Sequence, residues 1–294
     1  MEFDDYQEKA ALTDQFADKR TERSLIIPLL GIAGETGTLL SEFKKKIRDR
    51  ESYESFNDRA EVELGDILWY LANIATHLGL SLSQIAVKNL HKTQERWPIA
   101  SEELKEQTFL DENFPETEQL PREIKIRIAE DDSAKIARMW VLPEETLLGD
   151  GDHLSDNAYE DDGYRFHDVM HLAHYAVLGW SPVIRKLLRR KRKSNPTIDQ
   201  VEDGARAGIL EELIVAYVYA NAKEHRYYDG IKHVDSEMLA AIKRFASHLE
   251  VRCRKTKDWE KAILQGYKVF RHLNDKRQAV VQIDMSKRHL RILE

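Results

Sequence analysis

A mainly α-helical fold in two parts is what the 294 residues predict. Three observations carry that expectation. Apolar residues recur at three-and-four spacing through residues 5–97. An acidic stretch with Pro115 and Pro121 then interrupts the pattern. The second half mixes helical periodicity with short runs that alternate apolar and polar residues. The boundaries read as a helical domain over 1–98, a linker over 99–122, and a helical domain with a small β-sheet over 123–294.

Four helices are expected in the first part. The first covers about Tyr6 to Ala17 and the second about Ser24 to Ile47. The polar stretch "RDRESYESFND" precedes a third, from about Asp58 to Leu78. Gly79 ends it, and Ser81 or Ser83 can cap a fourth that stops near Trp97-Pro98. In the second part, "EIKIRIAED" alternates Ile124, Ile126 and Ile128 with polar residues, as a half-buried strand does. "ARMWVL" is a further strand, and "AVVQIDMSKRHLRIL" reads as a hairpin. Helices are expected at about 164–193, 201–223, 235–253 and 258–273, with a sheet that can join distant segments.

Composition narrows the function classes. Charged residues make up 33% of the chain with both signs interleaved, and the net charge is −7. Nucleic acid is therefore not the expected partner. A single cysteine, Cys253, excludes an internal disulfide and suits a reducing cytoplasm. No apolar run approaches the roughly 20 residues of a bilayer span, so no membrane role is expected.

The chemistry lies in two acidic stripes. On the second helix, at about 100° per residue, Leu29, Ile32, Leu39, Leu40, Phe43 and Ile47 share one arc. Glu35 sits at its edge, followed round the helix by Thr38 and Glu42. Gly31 is on the same flank and leaves room for a ligand. On the third helix, Ile67, Leu71, Ile74 and Leu78 form the apolar face, and Glu63 projects into it. Asp66 follows one turn on, with Asn73 and His77 continuing the stripe. A carboxylate facing a core is costly unless paired or bound to a cation. Oxygen donors suit Mg²⁺, with Mn²⁺ as second choice, and such an ion in turn holds phosphate groups. Solvated acids at a helix edge are the alternative.

"LLGIAGETGTLLSEFKKKI" followed by "EVELGDILWYLANIATHLGLSLSQIAVKNLHKTQERW" resembles the MazG-like all-α nucleoside triphosphate pyrophosphohydrolases over residues 5–97. The resemblance implies a four-helix bundle that dimerises or assembles further, and Mg²⁺-dependent hydrolysis of nucleoside triphosphates to monophosphate and pyrophosphate. Its ligand pattern, E-x-x-E then E-x-x-D, falls on Glu35, Thr38, Glu63 and Asp66; Thr38 is the departure. Glu42, one turn on, is the residue that can compensate, as a ligand or as the group that orients or deprotonates the attacking water. Glu35, Glu63, Asp66 and Glu42 are thus the expected metal set, with Glu35 and Glu42 catalytic. The resemblance makes Lys92 and Arg96 candidates for the polyphosphate, with solvated surface charge as the plainer reading. Asn73 and Trp69 are candidates for base or ribose, though Trp69 fits interface packing as well. Because Thr38 weakens the shell, a nucleotide sensor without turnover is the non-enzyme alternative.

The second half adds "GYRFHDVMHLAHYAVLGW", which sets His167, His171 and His174 on one helical face beside Asp168. The spacing H-D-x-x-H has Asp where zinc proteases need Glu, so a protease is not expected. A metal or phosphate site is open, as are structural histidines. "LEELIVAYVYANA" faintly echoes "VELGDILWYLANIA", with Glu212 on Glu63, and "HLAHY" can be laid on "GIAGE". A divergent second bundle repeat, acting as an internal pseudo-dimer partner, is one reading, and helix-pattern coincidence the other. In the first case His167, Asp168, His171 and Glu212 line a second site, and the main phosphohydrolase chemistry could sit there. "RKLLRRKRK" (185–193) reads as a basic, solvated helix end, or else as a phosphate patch. "DGDHLSDNAYEDD" is not an EF-hand loop, because Leu154 takes its fifth position.

Overall fold

The computed structural model describes residues 1–15, 22–97, 109–131, 136–149 and 159–293. The chain divides into two compact units, Met1–Gln94 and Glu95–Glu294. It is mainly helical with one small antiparallel sheet, as the periodicities predict.

The first unit holds α1 (Phe3–Leu12), α2 (Glu22–Asp49), α3 (Phe56–His77) and all but the last two residues of α4 (Leu82–Arg96). Gly79, at φ 67°, terminates α3, with the Leu80 amide donating back to the Ala75 carbonyl. Ser81 is the cap of α4, its Oγ accepting from the Gln84 amide at 3.1 Å. Polar side chains pin α1 to the others. Gln7 donates to Thr76 Oγ1 and the Leu80 carbonyl while accepting from the Leu82 amide. His77 and Asp14 meet at 3.1 Å, both nearly inaccessible.

This unit has a thin core. Ala10, Ala72 and Leu82 are its buried cluster, with Tyr6, Leu68 and Trp69 against them. The expected apolar face of α3 is corrected accordingly. The buried positions are Ala72, Asn73 and Ala75, and Leu71 and Leu78 are exposed. Small residues let α1 approach, while Leu30, Leu40, Ile47, Val62, Leu64 and Val87 are more than half exposed. A second correction concerns Gly31. Its flank is not open: a Cβ there would fall inside the ring of Tyr70 on α3. A third concerns membranes: residues Ser24–Ser52 are, by length and composition alone, long and apolar enough to cross one. In the fold, α2 instead lies along α3.

The second unit builds its sheet from β1 (Glu123–Asp131), β2 (Ile136–Leu142), β3 (Thr146–Leu147), β4 (Gln278–Asp284) and β5 (His289–Ile292). The order is β3-β2-β1-β4-β5, so the C-terminal hairpin pairs with β1 across the whole unit. Ile124, Ile126 and Ile128 face inward, with Ile126 opposite Val141 on one side and Val281 on the other. Helices α5 (Asp168–Ala173), α6 (Pro182–Leu187), α7 (Pro196–Val201), α8 (Ala205–Glu224), α9 (Ser236–Phe245) and α10 (Thr256–Lys276) complete it. Gly266 of α10 lets Met170 of α5 lie against its backbone; a Cβ there would meet Met170 Sδ at 2.6 Å.

The single helix expected at 164–193 is broken. A 3₁₀ turn (Tyr164–Phe166), α5 and a π-turn (His174–Leu178) run into Gly179 at φ 65°, and Ser181 then caps α6. Two members of the basic run are not solvated, although Lys186, Arg189 and Lys193 are exposed. Arg185 reaches Asp111 at 2.6 Å, and Arg192 reaches Asp203 at 2.6 Å and Glu250 at 2.7 Å, with both arginines buried. Burial pulls the Asp111 carboxyl up, but Arg185 and the Leu120 amide hold it below its ordinary value. Residues 109–122, expected in the linker, therefore belong to this core, with Asp111 and Leu120 buried. Of the proposed repeat, the residues laid on α2 form only α5 and the π-turn, packed mainly by α10. Residues 150–158 of the acidic loop lie outside the described residues.

Space around the α2 glycines sets an expectation. A Cβ added at Gly34 or Gly37 would meet nothing within 4 Å, so alanine at either should stabilise by up to about 1 kcal/mol. Gly31→Ala must displace Tyr70 and should cost about 1–3 kcal/mol. Urea unfolding of the three variants checks this, and equal effects at all three positions would contradict the packing.

Candidate functional site

Packing of α2 on α3 brings the acid stripes together. Glu35 and Glu63 are half-buried, and their carboxyls are within hydrogen-bonding reach of each other. Partial burial, then Glu35, then the charges of Asp66 and Glu42 push the Glu63 carboxyl above its ordinary range. Asp66 itself is exposed. Mutually repelling carboxylates of this kind are what a hard dication relieves.

Glu42 is differently placed. It is buried, one oxygen taking a 2.6 Å hydrogen bond from Lys45 and the other accepting from Tyr53. Lys45 first and Tyr53 second hold its carboxyl below the usual value. Both oxygens are thus engaged. Thr38 is exposed, and its hydroxyl donates back to the Gly34 carbonyl at 3.3 Å. Trp69 donates to Thr13 Oγ1 at 2.8 Å, so its indole fastens α1 to α3. Asn73 is buried; its amide nitrogen donates to the Trp69 carbonyl, while its Oδ1 has no hydrogen-bond partner. Lys92 is exposed on α4, and the Arg96 side chain lies outside the described residues.

In the second unit a tighter group forms. Two triads of potential ligands, each with one donor atom per residue within 4.8 Å of the others, stand among the described residues: His167, Asp168 and His171, and His171, His174 and Glu211. The i, i+4 spacing on α5 sets His167 and His171 one above the other. Helix α8 supplies Glu211 and Glu212. His171 Nδ1 is 3.0 Å from Glu211 Oε1, and its Nε2 is 3.3 Å from Glu212 Oε2. His174 Nδ1 reaches the same Glu211 oxygen at 3.0 Å. Ser181 Oγ and the Val183 amide donate to the other, at 3.0 and 3.1 Å.

Glu211 is the residue that sequence reasoning passed over. Its signal was present: it shares a helical face with Ala207, Ile214, Val215 and Val218, all buried. A carboxylate on such a stripe predicts buried partners.

The second unit also carries the family assignment. Residues 105–294 match the family model of the MazG C-terminal domain. The chain belongs to that family. The match fits the MazG-like resemblance of the first unit. The "Gene 37 protein" of Mycobacterium phage L5 is 36% identical over 69 residues, 23% of this chain and 60% of the phage protein. The chain thus spans about 60% of the length of that curated relative. No solved structure matches.

Within the MazG C-terminal domain, burial alone would raise the Glu211 carboxyl, yet His171 and His174 hold it down to about 2. Burial opposes the His171 charge as well, but Glu211 and Glu212 keep its pKa well above the ordinary value. A depressed carboxyl contributes stability above its unfolded value, lost as pH falls through the folded one. A raised imidazole contributes stability below its unfolded value, lost as pH rises through the folded one. The pair therefore stabilises most between about pH 4.5 and 6.5. Melting curves from pH 2 to 7 should show Glu211→Gln losing a few kcal/mol at pH 6 and losing less than the native chain on acidification. Parallel curves for the two proteins would contradict the ion pair.

Proposed function

We propose that the chain is a Mg²⁺-dependent hydrolase that cleaves nucleoside triphosphates, or related nucleotides, to monophosphate and pyrophosphate in the first unit. The observation that carries this reading is the convergence of Glu35, Glu63 and Asp66 across α2 and α3, with the Glu63 carboxyl raised by partial burial and then by Glu35 and the other acids. The membership of residues 105–294 in the MazG C-terminal domain family supports it.

Glu35, Glu63 and Asp66 are the Mg²⁺ ligands in this reading. The ion would neutralise polyphosphate charge and acidify a bound water for attack at the α-phosphate. Glu42, locked by Lys45 and Tyr53, is a poor free base; it adds negative charge beside Glu63. Thr38, tied to its own helix, is not a ligand. Lys92 and Arg96 are offered to the polyphosphate. The buried Asn73, with Oδ1 unpartnered, is the better polar candidate for the base or ribose, since Trp69 is committed to Thr13. The exposed leucines, isoleucines and valines of α2, α3 and α4 match a bundle completed by a second copy, which supports a dimer. The exposed Cys253 fits a reducing cytoplasm.

The decisive experiment incubates the chain with a panel of nucleoside triphosphates and Mg²⁺ and scores pyrophosphate. Release is expected, with Glu63→Gln lowering kcat/KM by at least about 100-fold. Saturable nucleotide binding with no pyrophosphate from any substrate would establish the sensor instead. A related outcome concerns charge: Glu63→Gln should raise the melting temperature of the metal-free chain and abolish the further rise that Mg²⁺ gives the native chain. In sedimentation, the native chain should run as a dimer or larger.

A further inference from the structure

We infer that the second unit holds its own metal centre, separate from the proposed Mg²⁺ site: His167 Nε2, His171 Nε2, Asp168 and Glu212 bind one first-row transition dication of the Zn²⁺ class. Geometry carries the inference. His167 Nε2 lies 3.7 Å from Glu212 Oε2 and 3.6 Å from Asp168 Oδ1, and His171 Nε2 lies 3.3 Å from Glu212 Oε2. Donors about 2.0–2.2 Å from one ion in tetrahedral array stand about 3.3–3.6 Å apart. These three separations, 3.3–3.7 Å, lie close to that spacing and exceed those of ordinary hydrogen bonds, and His167, Asp168 and His171 each offer a donor atom within 4.8 Å of the others.

The imidazoles are also oriented as ligands. His167 Nδ1 is 2.9 Å from the Tyr164 carbonyl, so Nδ1–H donates there and Nε2 is the ring nitrogen that faces Asp168 and Glu212. His171 presents Nδ1 to Glu211 and Nε2 to Glu212. It is completely buried, yet neither ring nitrogen has an aligned hydrogen-bond partner. A buried imidazole between two carboxylates without an aligned bond to either is better satisfied by an ion on Nε2, with Glu211 as the outer carboxylate behind Nδ1. Ser181, Val183 and His174 hold Glu211 in that outer position.

The ligand types select the ion. Two imidazoles favour Zn²⁺, Fe²⁺ or Ni²⁺ over Mg²⁺, which prefers oxygen donors throughout. Access is from one side. The histidines come from the core, whereas the side chains of Asp168 and Glu212 are 34% and 45% exposed. The Tyr164 ring, stacked on His167 at 4.5 Å, covers another side. Loading requires neutral imidazoles, so the proton of His171 leaves as the ion enters.

The test titrates Zn²⁺ alone into the full chain in buffer with excess Mg²⁺, which occupies oxygen-only sites. One tight Zn²⁺ per chain is expected for the native protein and for Glu63→Gln. Glu212→Gln and Asp168→Asn, at half-exposed positions, should each weaken binding by at least about 10-fold while circular dichroism stays unchanged. Coordination at this site is read separately from the visible spectrum of the Co²⁺-loaded chain, which Glu212→Gln should alter and Glu63→Gln should not. No bound Zn²⁺ in the native chain would overturn the inference. So would unchanged affinity in both carboxylate variants, or loss of the Zn²⁺ in Glu63→Gln.

Discussion

Glu211 organises the second unit. A carboxylate with no solvent contact is tolerated only when its charge and lone pairs are met. Here His171 and His174 meet one oxygen, and Ser181 and the Val183 amide meet the other. These partners come from α5, the π-turn and the start of α6, so a single side chain on α8 sets the position of three consecutive elements. His174 opens the π-turn, where it meets Glu211 beside the rings of Trp180 and Trp259.

Charge compensation inside the fold separates the two units. In the second, buried charges close on one another: Asp111 on Arg185 and Arg122, Asp203 and Glu250 on Arg192. In the first, Glu35, Glu63 and Asp66 repel, while Glu42 has fixed partners. The first unit also keeps large apolar side chains on its surface while burying alanines. Uncompensated acids and exposed apolar side chains are the two features on which the proposed Mg²⁺ site and the proposed second copy rest.

Much of this was legible in the residues. The four helices, the caps at Gly79 and Ser81, and the alternating strands follow from periodicity and local propensity, which act over a few residues. The acid pair was legible because Glu63 sits among apolar neighbours, and the histidine face because His167 and His171 are four apart. What failed is equally specific. Gly31 looked open because a helix projection shows one helix, and Tyr70 comes from another. Arg185 and Arg192 of the basic run looked solvated because their partners, Asp111, Asp203 and Glu250, lie on other segments of the chain.

By itself, then, the sequence determined which segments are mainly helices and strands and which stretches carry carboxylate and imidazole side chains at helical spacing. Those properties reside in side-chain type and short spacing. Only the tertiary structure decided which acids are free and which are paired, that Glu42 is held by Lys45 and Tyr53, and that Glu211 stands behind His171. The physical reason is that pairing of charges depends on approach across separate elements, a property no single stretch of chain contains.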